Sequence, residues 1–385
     1  MLGKSILLYT RDRAGARRLS TCLRAAGNEV AQVDSPTTAR DLIAARAVDL
    51  VLFDHAERCD LDDLSWAAYE RVPFAVLSAS NDPDALIECV CDLAIPHFMS
   101  SGDNQGGLAS FDAREVVVTA EKILRGDIFG AKKYLPDFGV DLSTVPVRGA
   151  SDRDDVIDCV QDYLGWLGAG RDVRSAMSLV VDELVTNAVY NAPRDERGRA
   201  RYANCSRREK IVLDPWEQAQ VEFGSDGNVF VLSVTDWFGA LGPRHIRAGL
   251  RRCFAEGDQI EQKDGGAGLG LYTVLSSVSQ MVINVEPGRR TEVIAIVDLT
   301  RRGERGHSLH LFTNQPAAAE TRSDDSIVVA PELRREVFST LAARGRRAQV
   351  VPLVQPIRRH PRASSVSEPT IVIGDVAQSG DRSAL

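Results

Sequence analysis

At 385 residues the chain is long enough for two or three domains, each with an ordinary hydrophobic core. Apolar residues make up 44% and charged residues 26%, which excludes a wholly disordered or fibrous protein. A formal net charge of −8 argues against nucleic acid as the principal ligand. The seven Cys form no C-x-x-C pair, so neither a zinc site nor a disulfide framework is indicated, and a reducing compartment is expected. The first residues turn charged too early for a secretion signal, and no run reaches the ~20 apolar residues of a membrane span. The reading at this level is a cytoplasmic protein without a membrane segment.

In chain order, residues 4–9 (KSILLY), 30–33, 49–53 (DLVLF), 74–78 and 96–99 are short apolar runs of strand type. Amphipathic stretches at 13–26 and 37–46 separate the first of them, and Gly27 supplies a helix stop. Alternating strands and helices predict a doubly wound parallel sheet covered on both faces. Asp54 ends the third strand. With that placement, residues 1–130 resemble the receiver domain of response regulators, in which an aspartate there is phosphorylated. The resemblance makes Asp54 the candidate phosphoacceptor and Ser78 the hydroxyl residue of the site. Thr10 and Arg11 stand where an acidic pair would hold Mg²⁺, and Ser101 stands near the place of the family's Lys. A degenerate receiver used for docking or dimerisation is therefore favoured over a working phospho-switch.

Residues 131–150 (with LPDFGVDLSTVPVRGA) read as a linker leading into the first strand of the next domain. A helical stripe covers 152–167, opened by Ser151 and the acidic Asp152, Asp154 and Asp155. A second helix covers 172–191, followed by a polar, Arg-rich loop over 193–216. Strands at 220–223 and 229–235 flank a Gly-Ser-Asp-Gly turn of hairpin type. A helix at 243–254, a glycine cluster at 265–270, a helix at 271–278 and strands at 281–285 and 292–299 complete the pattern. Beyond these, 313–357 carries a small βα extension and 358–385 a Ser-, Arg- and Pro-rich flexible tail.

Three segments of the second half carry chemistry. Glu183 and Asn187 are four apart, so they project from one helix face, where a carboxylate can take a proton and an amide oxygen can ligate Mg²⁺. Asp236 ends a buried strand, where it can accept a hydrogen bond from an exocyclic amine, and Gly239 follows. Gly265, Gly266, Gly268 and Gly270 open a helix, a setting that favours phosphate, and Lys263 sits beside them. A dinucleotide-binding fingerprint is excluded by the G-x-G-x-G spacing and the polar run before it, and no Walker A sequence occurs.

The order helix with E-x-x-x-N, strand ending in Asp, then G-x-G-x-G opening a helix resembles the ATP-binding fold shared by gyrase, Hsp90, histidine kinases and MutL. The resemblance covers about residues 140–299 and implies a two-layer α/β sandwich over 151–312. It also implies Mg²⁺ on Asn187, the adenine amine on Asp236, and Gly239, Lys263, Gly266, Gly268 and Gly270 around the nucleotide. Thr291 would support the base. None of the six His lies on the helix at 152–167, so a His acceptor is missing. The lead-in instead looks like anti-sigma-factor serine kinases, where a Glu in the place of Glu183 acts as general base. One departure is that Gly239 is displaced by a residue relative to the family's D-x-G-x-G.

The fold class expected is thus α/β plus α+β. The function expected is a cytoplasmic signalling protein that binds Mg-ATP and phosphorylates Ser or Thr of a partner protein, with a catalytically inactive interaction module as the alternative. Partners are a signalling protein of anti-anti-sigma type and, left open, a second copy of the chain.

Overall fold

The computed structural model describes residues 3–45, 47–60, 72–103, 106–136, 139–206, 209–256, 269–300 and 306–314. The first half contains β1 (Ser5–Tyr9), α1 (Arg13–Ala25), β2 (Glu29–Val33), α2 (Pro36–Ala44), β3 (Leu50–Asp54), β4 (Phe74–Ser78), α3 (Pro83–Ile87), β5 (His97–Ser100) and α4 (Ala113–Arg125). Its strands pair in parallel in the order β2-β1-β3-β4-β5, the flavodoxin-like doubly wound order. β3 and β4 are buried along their whole length, because helices cover both faces of the sheet. Leu19 and Leu23 of α1 pack with Val116 and Ala120 of α4 against Ile6, Leu8, Leu50 and Leu52. Ala39 and Ile43 of α2 and Ala85 of α3 pack on the other face with Leu7, Val51 and Phe53.

The second half contains β6 (Ser143–Val147), α5 (Asp152–Trp166), α6 (Arg171–Thr186), β7 (Ala219–Ser225), β8 (Val229–Asp236), α7 (Pro243–Glu256), α8 (Leu269–Ser277), β9 (Gln280–Glu286) and β10 (Arg290–Asp298). Strands β9-β10-β8-β7-β6 are antiparallel neighbours. α5, α6, α7 and α8 lie on one face, through Val156, Val180, Leu184, Ile246, Leu250 and Val274. The other face is covered by Ile128, Phe129, Ala131, Tyr134 and Leu135, packed on Val231, Val282 and Ile294. The stretch read as a linker over 131–150 is therefore partly core: its first residues close the underside of the second sheet, and its strand is β6.

The halves were read as separate units, 1–130 and 151–312, but they share one 11-stranded sheet. A strand that the sequence reading did not foresee, β11 (Ser308–Thr313), joins them. It runs parallel to β9 from Ser308↔Gln280 to Thr313↔Val285 and antiparallel to β5 at Leu309↔Phe98 and His310↔His97. Beneath this seam lies a buried polar network. Lys122 Nζ of α4 donates to Tyr134 Oη at 2.9 Å and Asn284 Oδ1 at 3.0 Å, and stands 4.2 Å from the Phe312 ring centroid. Asn284 Nδ2 donates to Glu292 Oε2 at 2.8 Å, and Glu292 also accepts the Gly130 N–H. Helix α7 makes a second bridge: Arg247 donates to Ala94 O at 2.9 Å and Arg251 to Asp92 at 2.7 Å. The βα extension and the tail expected beyond residue 314 lie outside the described residues.

Candidate functional site

Met177, Val180, Val181, Leu184 and Val185 bury one side of α6 and leave Glu183 and Asn187 on another, one turn apart. At Asn187 the helix widens into a π-turn over Asn187–Asn191, with the Ala192 N–H reaching Asn187 O at 3.0 Å. Such one-residue expansions recur at functional sites. The turn keeps three polar side chains in a row: Asn187 Nδ2 donates to Glu183 Oε1 at 2.9 Å, and Asn191 Nδ2 donates to Asn187 Oδ1 at 2.8 Å.

Asp236 ends β8 and is paired in register with Thr291 of β10. Its Oδ1 accepts the Phe238 N–H at 2.9 Å. Burial raises its carboxyl from 3.8 to about 6, against the lowering pull of the Phe238 and Gly239 amides, the neighbouring Thr291 hydroxyl and Arg194. Thr291 Oγ1 is buried and, although close to that carboxyl, is in hydrogen-bond geometry with no described residue.

Asn187, Asp236 and Thr291 line one cavity of about 320 Å³. Its apolar walls include Leu184, Val234, Leu241, Leu271 and Val293, and its other polar lining residues are Asn191, Arg194 and His245. A mostly apolar cavity with a few convergent polar groups is the usual build of a small-molecule site. The volume suits one planar ring system with part of its substituents.

Other expected site residues fall elsewhere. Gly239 does not line the cavity. Its φ of +58° suits glycine, and a Cβ there would collide with Glu286 O in the β9–β10 turn, so this glycine serves a close backbone approach. Trp237, the extra residue before it, lies under the Arg290 guanidinium, 5.1 Å from its ring centroid. Gly270 also stays off the lining: it opens α8 directly against the Glu183 carboxyl, where a Cβ would overlap that side chain. Glu183 is likewise absent from the lining. Lys263, Gly266 and Gly268 lie outside the described residues. Asn191, Arg194 and His245 were missed. Asn191 was legible, since it repeats the four-residue spacing after Asn187, whereas Arg194 and His245 carried no pattern.

In the first half, Asp54 is buried at the end of β3 and its carboxylate is already engaged. Thr10 Oγ1 donates to it at 2.7 Å and the Ala56 N–H at 3.0 Å. Arg11 turns away to Glu57 and Asp60. Ser78 and Ser101 hydroxyls contact the backbone at Ser80 O and Ala79 O. Among the described residues no group of three His, Cys, Asp or Glu side chains is placed to hold a metal.

No family model matches the chain, and no curated protein matches it either. Among solved structures it is similar to a response regulator from Thermotoga maritima, at 20% identity and a TM-score of 0.28, over 32% of this chain and 99% of that one. It is also similar to the signal receiver domain of an HD domain-containing protein from Pseudomonas fluorescens Pf-5, at 18% identity and a TM-score of 0.26, over 33% and 90%. A response regulator protein from Burkholderia multivorans matches at 25% identity and a TM-score of 0.20, over 26% and 83%. No helix among the described residues is long and apolar enough to cross a membrane.

Proposed function

We propose that the chain is a signalling protein whose second half binds Mg-ATP in the cavity between α6 and strands β8 and β10, and that it transfers phosphate to Ser or Thr of a partner protein. The observation that carries this reading is the convergence of Asn187, Asp236 and Thr291, from three distant stretches, on one cavity. The buried Thr291 hydroxyl and the desolvated Asp236 carboxyl fit the polar edge of a base: one offers a donor, the other an acceptor for an exocyclic amine. Asn187 Oδ1 is the protein oxygen suited to Mg²⁺, a cation that keeps most of its shell as water and phosphate oxygens, so a single amide ligand suffices. Asn191 would have to give up its bond to that oxygen.

Bound Mg-ATP would supply the transferable phosphoryl group and part of its charge neutralisation. Glu183 would take the proton of the attacking hydroxyl as general base, and Asn187, bonded to it, would fix its orientation. One observation favours the second reading, a nucleotide-dependent interaction module without turnover. The Glu183 carboxyl is held by Asn187, packed on Gly270 and off the cavity lining. Labelled ATP incubated with the purified chain and proteins of anti-anti-sigma type separates the two. Ser or Thr labelling that is lost in Glu183→Ala, with nucleotide binding retained, supports the kinase. Binding without any labelling supports the module.

In the first half, the buried and already bonded Asp54 supports a docking role over phosphoacceptance. Acetyl phosphate with Mg²⁺ is expected to leave Asp54 unmodified by mass spectrometry; a stable adduct there would revive the receiver switch.

A further inference from the structure

The stretch after α6 reads in sequence as a polar, Arg-rich loop, but its described arginines are not alike. Residues 193–201 fold back on themselves: Arg194 bridges Ala200, Asp195 N donates to Arg199 O at 2.8 Å, and Arg201 N donates to Pro193 O at 2.8 Å. The Asp195 carboxylate accepts the N–H of Arg197 and of Arg199, each at 2.9 Å, and pairs with the Arg199 guanidinium at 3.0 Å. Arg201 pairs with Asp214 at 2.9 Å and with buried Glu217 at 2.7 Å. These contacts neutralise Arg199 and Arg201 locally and brace the loop.

Arg194 is different. It is half-buried, it lines the cavity with Asn187 and Asp236, and its guanidinium makes no hydrogen bond or ion pair among the described residues. Burial disfavours its charge, and among the described residues the carboxylates that offset this are Asp236 and Asp195, the second already engaged by Arg199. Among the described lining residues it is the one permanent cation, and the carboxylate of Asp236 shares the cavity with it. A polyanion entering a cavity that also holds the Asp236 carboxylate needs an opposing charge, and a planar fork of N–H donors matches phosphate oxygens in pairs.

We infer that Arg194, presented by the braced 193–201 loop, grips a phosphate group of the bound nucleotide and makes the cavity select nucleotides over nucleosides. The inference rests on the nucleotide reading above and adds the residue that carries its phosphate specificity. The rival geometry, in which Arg194 reads the base alongside Asp236, predicts a different pattern of loss.

Calorimetric titrations of the full chain with adenosine, ADP and Mg-ATP distinguish the two, using wild type, Arg194→Met and Arg194→Lys. Wild type is expected to bind ADP and Mg-ATP more tightly than adenosine. Arg194→Met should weaken both phosphorylated ligands roughly 10- to 100-fold, as for loss of a charge-assisted hydrogen bond, and leave adenosine unchanged. Arg194→Lys keeps the charge without the fork and should fall between them; should the Met variant not fold, it carries the comparison alone. Equal weakening of adenosine and ATP, or no change in either variant, overturns the inference while leaving nucleotide binding intact. A wild-type chain that binds none of the three overturns the nucleotide reading and this inference with it.

Discussion

His310 sits at the centre of the seam, on β11, fully buried. Its Nε2 is 3.2 Å from Glu115 Oε1 and 3.3 Å from Gln280 Nε2. Burial, reinforced by the Lys122 charge, lowers its pKa from 6.5 to about 3. The native imidazole therefore stays neutral where the unfolded one takes up a proton. Its contribution to stability is complete above pH 6.5 and is lost as pH falls toward 3. Each pH unit inside that window costs about 1.4 kcal/mol, so lowering the pH from 6.5 to 4.5 should cost roughly 2 to 3 kcal/mol through this residue alone. His97 is held neutral too, by burial first and then by neighbouring His310 and Lys122, beside which a second positive charge is disfavoured, and it adds to the slope. His310→Gln keeps a polar side chain and removes the titration. Urea unfolding followed by Trp fluorescence at pH 4.5, 5.5 and 6.5 should give a slope of stability against pH shallower by about 1 kcal/mol per unit in the variant. An identical slope in wild type and variant would refute the argument that a neutral buried imidazole limits acid stability.

Lys122, whose pKa burial lowers from 10.5 to about 7, works on the alkaline side. The unfolded lysine holds a proton that the native one has shed, so stability should rise between pH 7 and pH 10 and flatten in Lys122→Met, measured by the same unfolding curves. For Asp236, near 6, Mg-ATP affinity should weaken as pH drops below 6 in wild type and lose that dependence in Asp236→Asn; calorimetry at pH 5 and 7.5 reads it out. Gly239→Ala puts a methyl group against Glu286 O at a φ of +58° and should lower thermal stability by about 2 kcal/mol or more without directly touching the cavity. An unchanged melting temperature would mean that the β9–β10 turn yields freely.

The apolar runs at β1, β3 and β4 were readable because strands buried on both faces have little choice of residue. Their alternation with helices gave the doubly wound half. β11 (SLHLFT) was not readable: its polar members, Ser308 and His310, are buried by partners more than twenty residues away in sequence, and nothing local marks it. Tyr134 and Leu135 sit in a Pro- and Gly-containing run, so a core segment passed for a linker. Nothing local in the sequence singles out Lys122, whose environment is set by Asn284 and Tyr134 from elsewhere in the chain. At the site, order and spacing pointed to Asn187 and Asp236, while Thr291 followed only from the family resemblance; all three line one cavity. Gly239 and Gly270 were legible only as glycines. What each one touches, a hairpin turn in the first case and the Glu183 carboxyl in the second, depends on tertiary packing.

In the proposed function, a helical amide and a strand-end carboxylate act together on one nucleotide. Titrating the intact chain with Mg-ATP and with metal-free ATP, in wild type, Asn187→Ala and Asp236→Asn, tests it most directly. Saturable binding to wild type is expected, with loss of the Mg²⁺ dependence in Asn187→Ala and general weakening of at least tenfold in Asp236→Asn. Wild-type affinity retained in both variants would contradict it.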